Sequence, residues 1–185
     1  GAGKSSLCNA LFGQDVAAVN DVEACTRVPQ EIHVSFGGKH GITLLDLPGV
    51  GESRERDEEY HALYESVLPT LDMVLWTLRA DERAYSVDET FYNNVIKPHL
   101  DAGIPFFFVL TQADKMEPFR EWDVARREPG PTQRANLAAR KAYVGSRFGV
   151  AASRVLEVSA VEQWQLSRLV EEMVFALPNE KKLGL

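Results

Sequence analysis

Cysteine is nearly absent: two in 185 residues, Cys8 and Cys25, at a spacing that makes neither a disulfide framework nor a zinc site. That usage fits a reducing compartment, and the expectation is a cytoplasmic protein. A basic surplus is missing as well. Lys and Arg number 20 against 27 Asp and Glu, a formal net charge of −7, which excludes a broad cationic surface for nucleic acid but not a local patch. Long hydrophobic runs are missing too: Met73 to Leu78 and Pro105 to Leu110 have strand length, far short of the about 20 residues that span a membrane. His33, His40, His61 and His99 show no paired ligand spacing. The chain does not open on methionine, so a targeting segment, if there is one, precedes Gly1. What remains, 45% hydrophobic and 25% charged residues, is the make-up of one globular domain, expected over residues 1–185.

The opening residues Gly1-Ala2-Gly3-Lys4-Ser5-Ser6 are the back half of the pattern GxxxxGKS. In such a loop, successive backbone N–H groups wrap a phosphate, the lysine adds charge and the serine hydroxyl holds magnesium. Leu7, Leu11 and Phe12 then fall on one side of a short helix before Gly13, which sets a helix N-terminus behind the anion. The same residue types also make solvated turns, so the rest of the chain has to decide.

Strand-like and helix-like segments alternate, as in a parallel sheet covered by helices on both faces. Ile32 to Phe36 and Ile42 to Asp46 flank the glycine-rich Gly37 to Gly41 and predict an antiparallel hairpin at one edge. Asp72 to Leu78, Ile104 to Leu110 and Val155 to Val158 read as buried parallel strands. Helices are predicted along Tyr60 to Leu68, Val87 to Ile96 (ending near Pro98), Gln133 to Phe148 and Leu166 to Leu177. Glu117 to Thr132, with three prolines among charges, predicts a loop or a mobile excursion.

A second motif, Asp46-Leu47-Pro48-Gly49, stands at the carboxyl end of the apolar run Ile42 to Leu45. Ligands of such sheets sit beyond the carboxyl ends of the strands. There an aspartate can hold magnesium through water and a glycine N–H can meet a terminal phosphate; the tetrapeptide also occurs as a plain strand-ending turn.

With these motifs the chain resembles the translation-factor-like P-loop GTPases, within them the Era, TrmE and septin-like group. Ser5 to Phe12, Ala24-Cys25-Thr26-Arg27 and Asp46 to Ser53 look like the bacterial YfjP/YeeP-like GTPases, which are grouped by similarity with ribosome-binding GTPases. The resemblance implies a three-layer α/β fold with a mostly parallel sheet and one antiparallel edge strand. It also implies a strand ahead of Gly1, between the strands ending at Asp46 and near Leu78; without that strand, residues 1–185 are expected to be unstable or to bind nucleotide poorly.

The implied nucleotide contacts are Gly1, Ala2, Gly3, Lys4, Ser5, Ser6, Asp46 and Gly49 for phosphate and metal. Thr111, Gln112, Asp114, Lys115, Ser159 and Ala160 are implied for the base. Lys4, Thr26 and Gly49 carry the catalytic and switch roles, and Ser5, Thr26 and Asp46 hold Mg2+. Asp114 accepts from the N1–H and exocyclic amine of guanine, and the Ala160 backbone donates to its oxygen.

Three positions depart from the pattern. Thr111-Gln112 replaces asparagine-lysine, and Val50, which cannot orient water, follows the glycine of the second motif. Gly1 stands where some TrmE-like relatives recruit potassium through asparagine. The expected function is a GTP/GDP switch with slow Mg-dependent hydrolysis; the alternative is a nucleotide-binding or interaction module of the same fold without turnover. An ATPase ranks third. A ribosome or RNA partner is implied by the resemblance alone, and Arg27 and Arg54 admit a homodimer through the switch loops.

Overall fold

The computed structural model describes residues 3–12, 30–35, 41–46, 54–100 and 103–177. Helix α1 (Lys4–Phe12) is followed by strands β1 (Gln30–Ser35) and β2 (Gly41–Asp46), then helix α2 (Arg54–Val67) and β3 (Val74–Arg79). A helical stretch comes next: α3 (Ser86–Phe91), a π segment Tyr92–Ile96 and α4 (Lys97–Leu100). Strand β4 (Phe106–Thr111), α5 (Pro131–Phe148), β5 (Val155–Glu157) and α6 (Leu166–Ala176) complete the order.

Strands β3, β4 and β5 form a parallel sheet in that order, with Val74 opposite Phe106 and Phe108 opposite Val155. β1 and β2 pair antiparallel as their own two-stranded ladder, and no ladder joins β2 to β3 among the described residues. The expected hairpin and the parallel strands are therefore both present, each shifted by a residue or two at its ends.

Strand β4, Phe106-Phe107-Phe108-Val109-Leu110-Thr111, is buried along its whole length because helices cover both of its faces. Alternate residues serve opposite cores, as the two-residue period of a strand requires. Phe106, Phe108 and Leu110 pack with Tyr60 and Tyr64 of α2, Tyr92 and Val95 of the π segment, and Leu137, Val144 and Phe148 of α5. Phe107 and Val109 pack with Leu7 of α1 and Leu169 of α6. Each such large apolar side chain contributes about 1.5–3 kcal/mol on burial. The first core is aromatic: Phe108 lies 4.4 Å from the Phe148 ring centroid and 5.3 Å from Tyr92. The layers thus run helix, sheet, helix, and the carboxyl ends of β3, β4 and β5 share one edge.

Two expectations change. The third helix does not stop near Pro98. The π segment shifts the hydrogen-bond phase, so that the Lys97 N–H reaches the Tyr92 carbonyl and Pro98 falls within the fresh turn of α4, where its missing N–H is tolerated. The segment Glu117 to Thr132 is ordered: Phe119–Glu121 forms a 3-10 turn, Asp123 and Glu128 bridge, and α5 already begins at Pro131 behind Gly130.

At the other end of α5, Gly149 takes the left-handed conformation (φ 67°), and the Val150 N–H donates to the Gly145 carbonyl at 2.9 Å. No atom crowds a Cβ there, so a substitution meets only the backbone penalty of an L-residue. Gly149→Ala is expected to cost about 1 kcal/mol, which thermal denaturation should register as a Tm about 2–4 °C lower.

Candidate functional site

The site is assembled at the carboxyl edge of the parallel sheet. Helix α1 begins at Lys4, and its first turn closes with the Leu7 N–H donating to the Gly3 carbonyl at 3.0 Å. Leu7 is buried in the second core, so this helix is anchored while its N-terminus, with Lys4, Ser5 and Ser6, stays half-exposed. Unpaired N–H groups at a helix N-terminus favour an anion. Gly3 has φ 79°, and a Cβ added to it would stand 3.4 Å from Gln112 Nε2 and 3.5 Å from Thr111 Oγ1. Its backbone conformation therefore favours glycine, whereas a Cβ would make only ordinary van der Waals contact with these neighbours.

That contact brings two distant motifs together. Thr111 ends β4, fully buried, with its hydroxyl 3.4 Å from the Leu78 carbonyl of β3. Gln112 adopts the left-handed conformation (φ 57°, ψ 41°), turning the chain into the 3-10 turn Ala113–Lys115. The Ala113 N–H donates to the Val158 carbonyl at 3.0 Å, tying the turn to the end of β5. Gln112 thus places its side-chain amide beside Gly3.

Asp114 is half-buried at this turn. The Ser159 hydroxyl donates to its Oδ1 at 2.7 Å and accepts from the Glu162 N–H at 3.1 Å. Ser159 is buried, and its own backbone pairs both ways with Trp164 at 3.1 and 2.9 Å. The serine's donor and acceptor capacities are both engaged, so one carboxylate oxygen of Asp114 is fixed. No described residue donates a hydrogen bond to Oδ2. Ala160 follows in the turn, half-buried, and Lys115 is exposed. An open cleft of about 670 Å³ lies beside Asp114, walled by Asp81, Lys115, Phe119, Trp122 and Val124.

The structure therefore brings Gly3, Thr111, Gln112, Asp114 and Ser159 into one set of contacts, with Lys4, Ser5 and Ser6 in the first turn of the helix that follows Gly3. Asp46 ends β2, as expected, but its side chain lies outside the described residues, as do Gly1, Ala2, Thr26, Gly49 and Val50. Among the described residues no group of three His, Cys, Asp or Glu side chains could hold a metal ion. No helix of the described residues is long and apolar enough to cross a membrane.

Sequence reasoning missed three supports of this site. Gln133, in the first turn of α5, is fully buried and donates from Nε2 to the carbonyls of Asp114 (3.1 Å) and Met116 (2.9 Å). Glu121 accepts the Gln133 backbone N–H at Oε1, 3.0 Å away. Trp122 and Trp164 meet edge to face with centroids 5.8 Å apart, joining the segment after Asp114 to the loop after Ser159. Only the tryptophans left a signal, two large apolar side chains in segments otherwise rich in turn formers.

Residues 1–112 match the family described as "50S ribosome-binding GTPase". Protein YkfA of Escherichia coli (strain K12) is 43% identical over 180 residues, 97% of this chain and 60% of its own length, and YfjP of the same organism gives the same figures. GTPase Era of Aquifex aeolicus (strain VF5) is 30% identical over 119 residues, 63% of this chain and 38% of Era. The crystal structure of Aquifex aeolicus Era bound to GDP·AlF4− aligns with 100% of this chain and 56% of that one, at a TM-score of 0.72 and 23% identity. Era in complex with MgGDPNP and part of 16S ribosomal RNA aligns at a TM-score of 0.71, over 100% of this chain and 56% of that one, also at 23% identity. Those two structures establish the shared fold. The chain spans 60% of the length of YkfA and YfjP.

Proposed function

Because the chain belongs to the 50S ribosome-binding GTPase family of P-loop proteins, we propose that it is a guanine-nucleotide switch that hydrolyses GTP slowly with Mg2+, through one G domain over residues 1–185. The observation that carries this reading is Asp114. Its Oδ1 is held by Ser159, its Oδ2 is left to a ligand, and the helix start that would meet phosphate lies against the same turn through Gly3 and Gln112. Guanine offers two adjacent N–H donors on one edge, which suit a carboxylate; adenine offers an unprotonated N1 there.

Within this reading Lys4 and the N–H groups of Gly1 to Ser6 hold the phosphates. Ser5, Thr26 and Asp46 are the oxygen donors for magnesium, and Thr26 and Gly49 are the switch contacts released on hydrolysis. Magnesium, when bound, neutralises charge on the terminal phosphates. Val50 leaves the attacking water without a side-chain partner from that position, hence slow turnover. Gln112 sets its amide on Gly3 instead of laying an apolar stem along the base, so guanine affinity is expected to be modest. The second reading, a binding module of this fold without turnover, is favoured by Val50 and Gln112 together.

The family description and the RNA-bound Era make a ribosomal RNA partner part of the proposal. With a net charge of −7, that contact would have to use a local basic patch. The cytoplasm is the corresponding location. Calorimetry of the purified full-length protein with GTP, GDP and ATP in magnesium, followed by a phosphate-release assay, tests the proposal. Guanine nucleotides should bind with preference over ATP and phosphate should appear slowly; absence of GTP and GDP binding, or ATP outcompeting GTP at equal concentration, would overturn it.

A further inference from the structure

We propose that Gln133 is a positioning residue for base recognition, holding the main chain of Asp114 while Ser159 holds its carboxylate. This rests on the reading of Asp114 given above. Gln133 comes from α5, 19 residues along the chain from Asp114, and its fully buried amide lies between two carbonyls of the turn, those of Asp114 and Met116. Only the NH2 group can serve two carbonyls, so the amide's orientation is settled by chemistry.

The residue is in turn held from behind. Its backbone N–H donates to Glu121 Oε1 at 3.0 Å, and this contact keeps the Glu121 carboxyl below the usual carboxylate range. A Cβ on Gly130 would collide with Glu121 Cγ, so glycine there leaves the passage for that side chain. The chain of supports runs from the Phe119–Glu121 turn through the start of α5 to the main chain of Asp114.

Space filling does not account for a glutamine here. Its Oε1 is buried with no partner among the described residues, a cost that an apolar side chain of the same volume avoids. What glutamine alone supplies is the pair of donors to the turn. With the carbonyl of Asp114 pinned on one side and Oδ1 on the other, the direction of Oδ2 is set before a ligand arrives, which is preorganisation of a specificity contact.

The test compares GDP with inosine diphosphate, which lacks only the exocyclic amine, on wild type and Gln133→Met. Wild type should prefer GDP by roughly 10- to 100-fold, the value of one hydrogen bond to a charged acceptor. In Gln133→Met that ratio should shrink roughly three- to tenfold. A variant that weakens both nucleotides by the same factor, or neither, would leave Gln133 a structural residue and overturn the inference. Should Gln133→Met fail to fold, the same ratio is read in Glu121→Ala: a reduced ratio supports the inference and an unchanged one overturns it. Wild type binding GDP and inosine diphosphate equally would instead sink the Asp114 reading itself, and this inference with it.

Discussion

Asp114→Asn should lower affinity for GDP by roughly 10²–10³-fold and transfer the preference to xanthosine diphosphate. The reasoning starts from the fixed oxygen. Ser159 donates to Oδ1 at 2.7 Å, and its own lone pair is taken by the Glu162 N–H, so an asparagine at this position keeps its carbonyl toward Ser159 and turns its NH2 to where Oδ2 stood. The exocyclic amine of guanine would then face a donor, losing a charge-assisted hydrogen bond and gaining a repulsion while N1–H keeps the carbonyl oxygen, about 3–4 kcal/mol in sum. Xanthine carries a carbonyl in place of the exocyclic amine and accepts from that NH2. Because Asp114 is half-buried and the Ser159 bond survives, the melting temperature should hardly move. Calorimetric titration of both diphosphates measures the exchange of preference, and a GDP affinity within threefold of wild type would remove Asp114 from the base site.

How far this site could be foreseen varies from residue to residue, for physical reasons. The apolar run of β4 and the stripes of α2 and α6 were legible because a strand buried on both faces is apolar throughout, while a helix buried on one face repeats its apolar residues about every 3.6. The order from Gly3 through Asp114 to Ser159 was legible because motifs at the carboxyl ends of successive strands are brought to one edge by the parallel sheet. Gln133 was not: it is a polar residue at a helix start, where exposure is the ordinary outcome, and its burial depends on the segment 116–130 folding back over it. That segment read as loop from Pro118, Pro129, Gly130 and Pro131. Its order comes from long-range contacts, the Trp122–Trp164 pair and the Glu121–Gln133 bond, which no local window contains. The left-handed Gln112 was equally hidden, since nothing in its neighbours asks for it until Gly3 is placed against its side chain.

Lys4→Ala is expected to reduce phosphate release by at least about 100-fold, and this decides between a turning-over switch and a silent binding module. The variant is expected to fold. Lys4 opens α1 at a half-exposed position, the helix is anchored by the buried Leu7, and alanine is the better helix former. What disappears is the positive charge at the end of the helix nearest the terminal phosphates. The loss should therefore be larger for GTP than for GDP, since only GTP carries the γ-phosphate whose charge grows most exposed as the bond breaks. A switch would show measurable phosphate release in wild type, lost in Lys4→Ala while GDP binding falls less. A silent module would show GTP binding with no release in either protein. Release that survives Lys4→Ala unchanged would assign the hydrolysis to a contaminant or to another site, and with it would fall the placement of the phosphates at the start of α1.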